Sequence, residues 1–221
     1  MAQKNTIDQN LLWLHYGASF KLSEHYSFNQ MIMERSYISP WRQHHFILQS
    51  HLGRQLGNGW SAYAGFSYFV LSTPQDATIK DFENKIELWP QIEINKKHKL
   101  FQIINVTHRY RMDFRFFRPN DKNFSYRNTR LRYRFKLNLP ISKTFDITFY
   151  DEILVNHTND LIPNFFDQNR LSFGFLAKVS QSISMGMDYV NWYQQTPSEV
   201  TYFNRHIINF NFFNRFDLAN K

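Results

Sequence analysis

The chain has 221 residues and a formal net charge of +8, and 18% of its residues are aromatic, with 23 Phe, 12 Tyr and 5 Trp. It has no Cys, which excludes disulfides and Cys-ligated zinc, and no apolar stretch approaches the roughly 18 to 20 residues of a membrane helix. So many rings exceed the needs of an ordinary soluble core, but they suit a lipid-facing band flanked by aromatic girdles.

Polar and apolar residues alternate with a period of two along nearly the whole chain. In the first such segment, Leu12 and Leu14 alternate with Trp13 and His15. This period is typical of β-strands with two different faces and not of helices. The pattern therefore predicts an all-β chain. Its eleven strand candidates cover 11–22, 26–37, 43–56, 60–72, 85–94, 100–116, 126–139, 145–156, 168–179, 183–193 and 202–213.

Short and long connections alternate between these strands. Short turns are predicted at 23–25, 57–59, 96–98, 140–142 and 180–182, and longer polar loops near 73–84, 117–125, 157–167 and 194–201. Outer-membrane barrels have short periplasmic turns and longer extracellular loops. We therefore predict one domain, residues 1–221, that forms a transmembrane antiparallel up-and-down β-barrel of about ten to twelve strands. The parity stays open, because single-chain bacterial barrels are normally even.

The expected location is the outer membrane of a Gram-negative envelope. The first residues have no apolar core of a signal peptide, and Ala2-Gln3 resembles the residue pair around a signal-peptidase cut. Either the protein is not exported, or the numbering begins at a mature N-terminus with a start Met added, and we expect the second. A soluble β-barrel that binds an apolar ligand is the alternative, and it would place its apolar face inside and its charges in water.

Basic residues occupy alternate positions of the sixth and seventh predicted strands. If lipid covers the apolar face, these residues point into the lumen, because an Arg at the lipid midplane costs about 2 to 4 kcal/mol. The turn at 140–142 is expected to place Glu152 opposite Arg130 or Arg132, with Tyr150 beside it. The predicted lumen charge cluster consists of Arg109, Arg111, Arg130, Arg132, Arg134, Lys136, Glu87, Glu93, Tyr150 and Glu152.

Two functions fit such a cluster. An electropositive channel would select anions, whereas a filled lumen would pair its buried arginines with carboxylates, of which Asp188 is a further candidate. A second basic set lies near the predicted strand tops and outer loops, where it could bind phosphates of outer-membrane lipid or lipopolysaccharide. Solvated loop charges are the alternative. This set consists of Arg35, Arg42, Lys80, Arg115, Arg118, Lys122 and Arg205.

Several motifs in order resemble a known family. Leu12-Trp13-Leu14 opens a strand that leads to Lys21-Leu22-Ser23, followed by the ladder Arg130-Leu131-Arg132-Tyr133-Arg134, then Tyr150-Asp151-Glu152-Ile153, and Asp167-Gln168-Asn169-Arg170-Leu171 before a Gly-containing strand. Along nearly its whole length the chain is similar to the Bacteroidota outer-membrane β-barrel family that is catalogued only as a domain of unknown function. The resemblance implies the fold and the location, and it brings no catalytic residues.

No spacing in the sequence demands catalysis or a metal. Adjacent strand residues face opposite ways, so His44 and His45 are not expected to chelate one ion. An outer-membrane hydrolase would need Ser or Thr, His and an acid to converge, and the region around His157 is the nearest candidate. Trp41 and Trp192 are assigned to an aromatic girdle, with sugar stacking as the alternative. We predict no catalytic residue, no metal and no cofactor.

These observations together predict a non-enzymatic outer-membrane β-barrel with a narrow, charge-paired lumen, which is a structural or accessory subunit of an envelope assembly. Its expected partners are outer-membrane lipid or lipopolysaccharide, and other envelope proteins. Nucleic acid is not expected, because basic and aromatic residues lie on opposite faces of the same strands instead of forming one patch. The alternatives are a small anion-selective pore, an outer-membrane enzyme and the soluble barrel.

Overall fold

Eleven strands close into a single barrel. A computed structural model of the protein describes residues 4–118, 123–157, 162, 164–198 and 200–219. Each strand is hydrogen-bonded to the next along the chain, and the last strand pairs with the first. The predicted all-β barrel of ten to twelve strands is confirmed. The strands are β1 (Asn5–Lys21), β2 (Tyr26–Tyr37), β3 (Arg42–Gly57), β4 (Trp60–Thr73), β5 (Glu83–Leu100), β6 (Ile104–Arg118), β7 (Ser125–Pro140), β8 (Phe145–Asn156), β9 (Phe166–Lys178), β10 (Ile183–Gln195) and β11 (Thr201–Asp217).

The period of two determines which side chains face outward. On β7, Leu131 is 45% exposed on the outer wall, whereas its neighbour Arg130 is 4% exposed on the inner wall. The rings of Phe66 and Tyr110 are likewise exposed on the outside. A soluble barrel would have the opposite arrangement, with aliphatic residues enclosed and guanidinium groups in water. Within the described residues, no helix combines the length and apolar character needed to cross a membrane.

One pair of neighbouring strands is parallel. All other neighbours are antiparallel, but β1 and β11 run in the same direction, with a register from Asn5 opposite Thr201 to Lys21 opposite Asp217. This follows from the strand number, because each turn reverses the chain and the first and last of eleven strands must therefore point the same way. The sequence did not decide whether the number of strands is even or odd. The structure has eleven, and the parallel β1–β11 pair, which we call the parallel seam, closes this odd-numbered barrel.

The two rims of the barrel differ. At the turn rim, the connections are 22–25, 58–59, 101–103, 141–144 and 179–182. At the loop rim, strand ends are joined by 38–41, 74–82, 119–124, 157–165 and 196–200, of which 119–122, 158–161, 163 and 199 lie outside the described residues. The β2–β3 connection, 38–41, is short although it lies at the loop rim. The alternation of length therefore holds for four of these five loops.

The predicted turn at 96–98 is wrong. β5 continues to Leu100, and the turn is formed by 101–103, where Phe101 and Gln102 have φ angles of 49° and 61°. Lys96 and Lys97 pair with His108 and Thr107 within the sheet. A cluster of polar residues resembles a turn, but here it belongs to the part of the hairpin near the turn rim, where both faces of a strand can be polar.

Candidate functional site

The basic ladder of β7 lines the inside of the barrel together with residues of its neighbours. Arg130, Arg132, Arg134 and Lys136 alternate with outward residues, and all four line one internal cavity. Arg109 and Arg111 on β6, Glu87 and Glu93 on β5, and Tyr150 and Glu152 on β8 also face inward. The structure thus brings all ten residues of the predicted lumen cluster to the inner wall.

Glu152 is the centre of the ion-pair network. Its carboxylate contacts the Arg109 guanidinium, lies 3.0 Å from Arg132 Nη2, and lies 3.5 Å from Arg170 Nη1. The three arginines come from β6, β7 and β9, so a single carboxylate ties together strands on both sides of β8. Because the group is buried, each of these pairs is screened little by water.

The register between β7 and β8 differs from the expected one. Glu152 lies opposite Arg134, and Tyr150 lies opposite Lys136. The sequence placed the turn at 140–142, but β7 extends to Pro140 and β8 begins at Phe145, which shifts the pairing. Glu152 still reaches Arg132, because long side chains bridge diagonal neighbours in a sheet.

Further carboxylates complete the network. Asp113 Oδ1 lies 2.5 Å from Arg111 Nε, and its Oδ2 lies 3.4 Å from Arg132 Nη1. Asp167 Oδ2 lies 3.1 Å from Arg130 Nε. Neither acid was predicted from the sequence as a partner of the ladder. The alternation on β6 could have revealed Asp113, which is two residues from Arg111.

Asp167 faces inward for a reason that alternation cannot show. It is the extra residue of a β-bulge, since Leu154 pairs with Gln168 and Val155 with Phe166. A bulge rotates the following side chains relative to the strict period of two. Asp188, which the sequence offered as a partner for arginine, instead accepts hydrogen bonds from neutral groups, including Thr148 Oγ1 at 3.0 Å.

A second bulge corrects the prediction for the paired histidines. Arg35 pairs with His45 and Ser36 with Gln43, so His44 has no partner in the register. The two imidazole rings therefore stack inside the barrel, with 3.8 Å between their centroids, and do not face opposite ways. Among the described residues, no three His, Cys, Asp or Glu side chains are grouped closely enough to hold a metal ion.

Four of the residues expected to contact outer-leaflet phosphates are buried. Arg115 is ion-paired with Glu87 at 2.8 Å, and Arg35, Arg42 and Arg205 are also enclosed. The prediction was wrong for these four, because loop-rim strand ends still alternate and these positions fall on the inner face.

The other three residues expected to contact outer-leaflet phosphates are Lys80, Arg118 and Lys122. Lys80 is exposed, and the Arg118 guanidinium lies 5.6 Å from the Phe124 ring centroid at the loop rim. Lys122 lies outside the described residues.

The loop 74–82, which we call the cap, folds into the loop-rim opening. Arg42 donates hydrogen bonds to the backbone carbonyls of Pro74 at 2.6 Å and Ile79 at 2.9 Å. Arg205 Nη2 donates a hydrogen bond to Gln75 Oε1 at 2.7 Å. Ala77 packs against a buried cluster inside the barrel that consists of Leu11, Trp13, Tyr37, Val190, Trp192 and Ile207. The buried cations at the mouth therefore hold the cap in place.

The cap is also ordered by its own turn. The Asp76 carboxylate accepts hydrogen bonds from the Thr78 hydroxyl at 2.7 Å and from the Thr78 backbone N–H at 2.9 Å. These bonds favour the ionised form and lower the pKa of Asp76 below its ordinary value. The turn therefore keeps its hydrogen bonds at neutral pH.

Tryptophans inside the barrel stack on the arginines. Trp89 is buried against the guanidinium groups of Arg115 and Arg130, at 4.7 Å and 5.1 Å from their central carbons. Trp192 is buried as well, so its assignment to an aromatic girdle is wrong, whereas Trp41 is 67% exposed at the loop rim. Cation–π contacts of this kind satisfy buried guanidinium faces that hydrogen bonds do not reach.

Two cavities follow each other along the lumen. One, of about 340 Å³, lies among the ladder and the tryptophans, and the other, of about 440 Å³, lies near the turn rim. They share Met31, Gln49, Leu176 and Phe213 as lining residues. The two cavities are therefore adjacent, one near the turn rim and one at a level below the cap.

Comparison with known proteins relates this barrel to a fold and a family. No curated protein matches the chain. The NanC porin, solved in a rhombohedral crystal form, is similar with a TM-score of 0.51 and 11% sequence identity, over 81% of this chain and 79% of that chain, a likeness that shows the fold alone. The family described as "Protein of unknown function (DUF2490)" matches residues 10–204. The predicted membership of a family catalogued only as a domain of unknown function is thus confirmed, and the chain belongs to this family.

Proposed function

We propose that this protein is a non-enzymatic barrel of a bacterial outer membrane, with a narrow, charge-paired lumen, and that it is a structural or accessory subunit of an envelope assembly. The observation that carries this proposal is the pairing of enclosed arginines with carboxylates from neighbouring strands, as at Glu152. Paired charges fill a lumen without the cost of leaving an ion buried alone.

The membrane location is supported by the outer wall and by the fold. Rings and aliphatic side chains such as Phe66, Tyr110 and Leu131 are exposed on the outside, and this composition matches a lipid-facing band. We propose outer-membrane lipid or lipopolysaccharide as the surrounding partner, with Lys80, Arg118 and Lys122 as phosphate contacts. Other envelope proteins are proposed as further partners, and Bacteroidota as the source.

The proposal is tested by location and conductance. The full chain, expressed with an export signal, is expected to fractionate with outer membranes and to run as a heat-modifiable band on gels. Purified in detergent and added to planar bilayers, it should give no stable conductance steps, because the cap and the ion pairs obstruct the lumen. Reproducible steps from the wild-type chain would contradict a closed lumen, and recovery in the soluble fraction would contradict the location.

A small anion-selective pore is the second candidate. It is favoured by the charge of the cavity of about 340 Å³ among the ladder, whose lining carboxylates are Glu152 and Asp188, while cations line it from β2, β6, β7 and β9. An open lumen of this charge would admit anions preferentially. Under a KCl gradient, such a pore would show a reversal potential shifted toward that of chloride, and this measurement separates it from a silent barrel.

A further inference from the structure

Five buried side chains below the cap form one contiguous group, the donor cage, which consists of Trp13, Arg35, His44, His45 and Trp192. They come from β1, β2, β3 and β10, and none is more than 7% exposed. The Arg35 guanidinium lies 3.9 Å from the Trp13 ring centroid, and the two indole rings are 5.7 Å apart. His44 stacks on His45 and lies 5.8 Å from Trp192.

The polar nitrogens of the donor cage are not used by the rest of the barrel. Within the described part of the chain, no hydrogen-bond partner is found for the indole nitrogens of Trp13 and Trp192, for Arg35 Nε, or for either ring nitrogen of His44 and His45. Buried polar groups in native proteins are nearly always hydrogen-bonded, because an unsatisfied one is costly. Several such groups side by side indicate a ligand with many acceptor atoms.

The surroundings of the donor cage are electropositive. The guanidinium carbons of Arg170 and Arg205 lie 4.8 Å and 4.2 Å from the Trp192 ring centroid. Arg205 donates to the neutral side chains of Gln9 and Gln194, and Arg35 Nη2 reaches the thioether sulfur of Met33. Arg170 is paired with Glu152, whereas Arg35 and Arg205 contact these neutral groups. The charge of these two arginines is therefore not balanced, and an anion would be attracted.

From these observations, we propose that the donor cage binds a phosphate-type oxyanion, either inorganic phosphate or the phosphoryl group of a monoester. Indole and imidazole N–H groups donate from several directions, and an oxyanion with three or more terminal oxygens offers more acceptor positions than a carboxylate. Arg35 supplies a charged donor. Trp13, Arg35, His45 and Trp192 line the cavity of about 340 Å³, which leaves room for more than the anion itself.

The ligand reaches this site from the turn rim. The cap covers the opposite mouth, held by Arg42 and Arg205. On the turn-rim side, the second cavity lies next to the one that the donor cage lines and shares lining residues with it, so the ligand enters through the second cavity. If the turn rim faces the periplasm, as in the proposed function, the ligand is a periplasmic solute. The site itself does not depend on whether the barrel conducts.

Binding is tested by titration calorimetry on the full chain in detergent. Inorganic phosphate and phenyl phosphate are titrated separately at constant ionic strength, with chloride and benzoate as the comparison ligands. We expect saturable binding of one phosphate or one phenyl phosphate per chain, and none of the comparison ligands. The phosphate and phenyl phosphate arms distinguish the free ion from the ester, and a preference for benzoate over both would overturn the assignment to a phosphate group.

Variants assign the binding to the donor cage. Trp13→Phe and Trp192→Phe each remove one N–H and keep an aromatic ring, so each should weaken phosphate binding about three- to tenfold. Arg35→Gln should weaken phosphate binding more than tenfold. Trp41→Phe, at the exposed loop rim, and Lys143→Gln, at an exposed turn, are the matched controls and should leave affinity unchanged. If Arg35→Gln does not fold, the phosphate affinities of the two Trp variants decide whether the donor cage is the binding site. Equal losses in the controls, or no saturable binding by the wild type, would overturn the proposal.

Discussion

Glu152 shows how single residues balance charge inside this barrel. Three guanidinium groups from three strands converge on its carboxylate, and the arginines are also close to one another. The carboxylate therefore both pairs with each arginine and separates like charges. An enclosed lumen gives such a residue more influence than it would have on a surface, where ion pairs contribute about 0 to 1 kcal/mol.

We predict that Glu152→Gln strongly destabilises the barrel. The amide keeps the shape but leaves Arg109, Arg132 and Arg170 without their shared countercharge, and breaking a buried pair costs about 3 to 5 kcal/mol. Urea unfolding of the protein in detergent micelles, followed by tryptophan fluorescence, measures the loss. Glu24→Gln, at an exposed turn, is the control, and equal midpoints for the two variants would contradict the prediction.

The sequence predicted the inward direction of these side chains but not all of their partners. Alternation is enough to place Arg130 and Arg132 on one face. It does not predict bulges, which turn His44 and Asp167 inward against the period. A bulge depends on how two strands pair and leaves no signature in the period of either strand alone. The paired histidines were for this reason assigned to opposite faces.

The cap is the element that most affects access to the lumen. It is held by hydrogen bonds from Arg42 and Arg205, which are strand residues below the rim. Sequence alone assigned both arginines to lipid phosphates, because they are near strand ends. Their actual partners are backbone and amide oxygens of a loop distant in the sequence, and no local pattern encodes that contact.

We predict that Arg42→Ala releases the cap. The variant loses two charge-assisted hydrogen bonds to backbone carbonyls, and local opening governs cleavage of a folded loop. Limited trypsin digestion should therefore cut after Lys80 about tenfold faster, corresponding to roughly 1.4 kcal/mol, as measured by mass spectrometry. Arg118→Ala is the matched loop-rim control. An unchanged rate at Lys80 would show that Arg42 does not hold the cap.

The β3–β4 turn gives a second prediction for an element. Gly57 and Gly59 have φ angles of 88° and 76°, so Ala at either position is strained, by about 1 to 3 kcal/mol. A Cβ on Gly59 would in addition collide with the Lys97 carbonyl oxygen, whereas one on Gly57 meets nothing within 4 Å. Gly59→Ala should therefore lower the urea midpoint more than Gly57→Ala. The reverse order would contradict this account.

At the scale of the whole molecule, closure depends on the parallel seam. The sequence revealed eleven strands, but its period could not show how the first meets the last, because their pairing joins residues about as far apart in sequence as the chain allows. Parallel pairing has evenly spaced, slanted hydrogen bonds, and here it runs the full length of both strands. The odd strand number is therefore accommodated without an unpaired edge.

The seam can be tested by disulfide trapping, since the chain has no Cys of its own. Ser19 lies opposite Arg215 in the parallel register, and neighbouring strands bring such positions within the roughly 4.4 to 6.8 Å that a disulfide spans between Cα atoms. Ser19→Cys with Arg215→Cys should cross-link on oxidation, giving a shifted band on non-reducing gels. Ser19→Cys with Phe203→Cys, which is on the same face near the other end of β11, should not, and cross-linking of that pair alone would indicate antiparallel closure.

The same seam limits how this chain can be rearranged. Asn5, where β1 begins, and Asp217, where β11 ends, lie at opposite rims. In a barrel that closes with an antiparallel pair, the two positions share a rim, and a few residues can join them to make a circular permutant. Here 17 residues of strand separate them, roughly 55 Å at about 3.3 Å per residue. A joining linker would need about 16 extended residues and would have to run along the outer wall or through the filled interior.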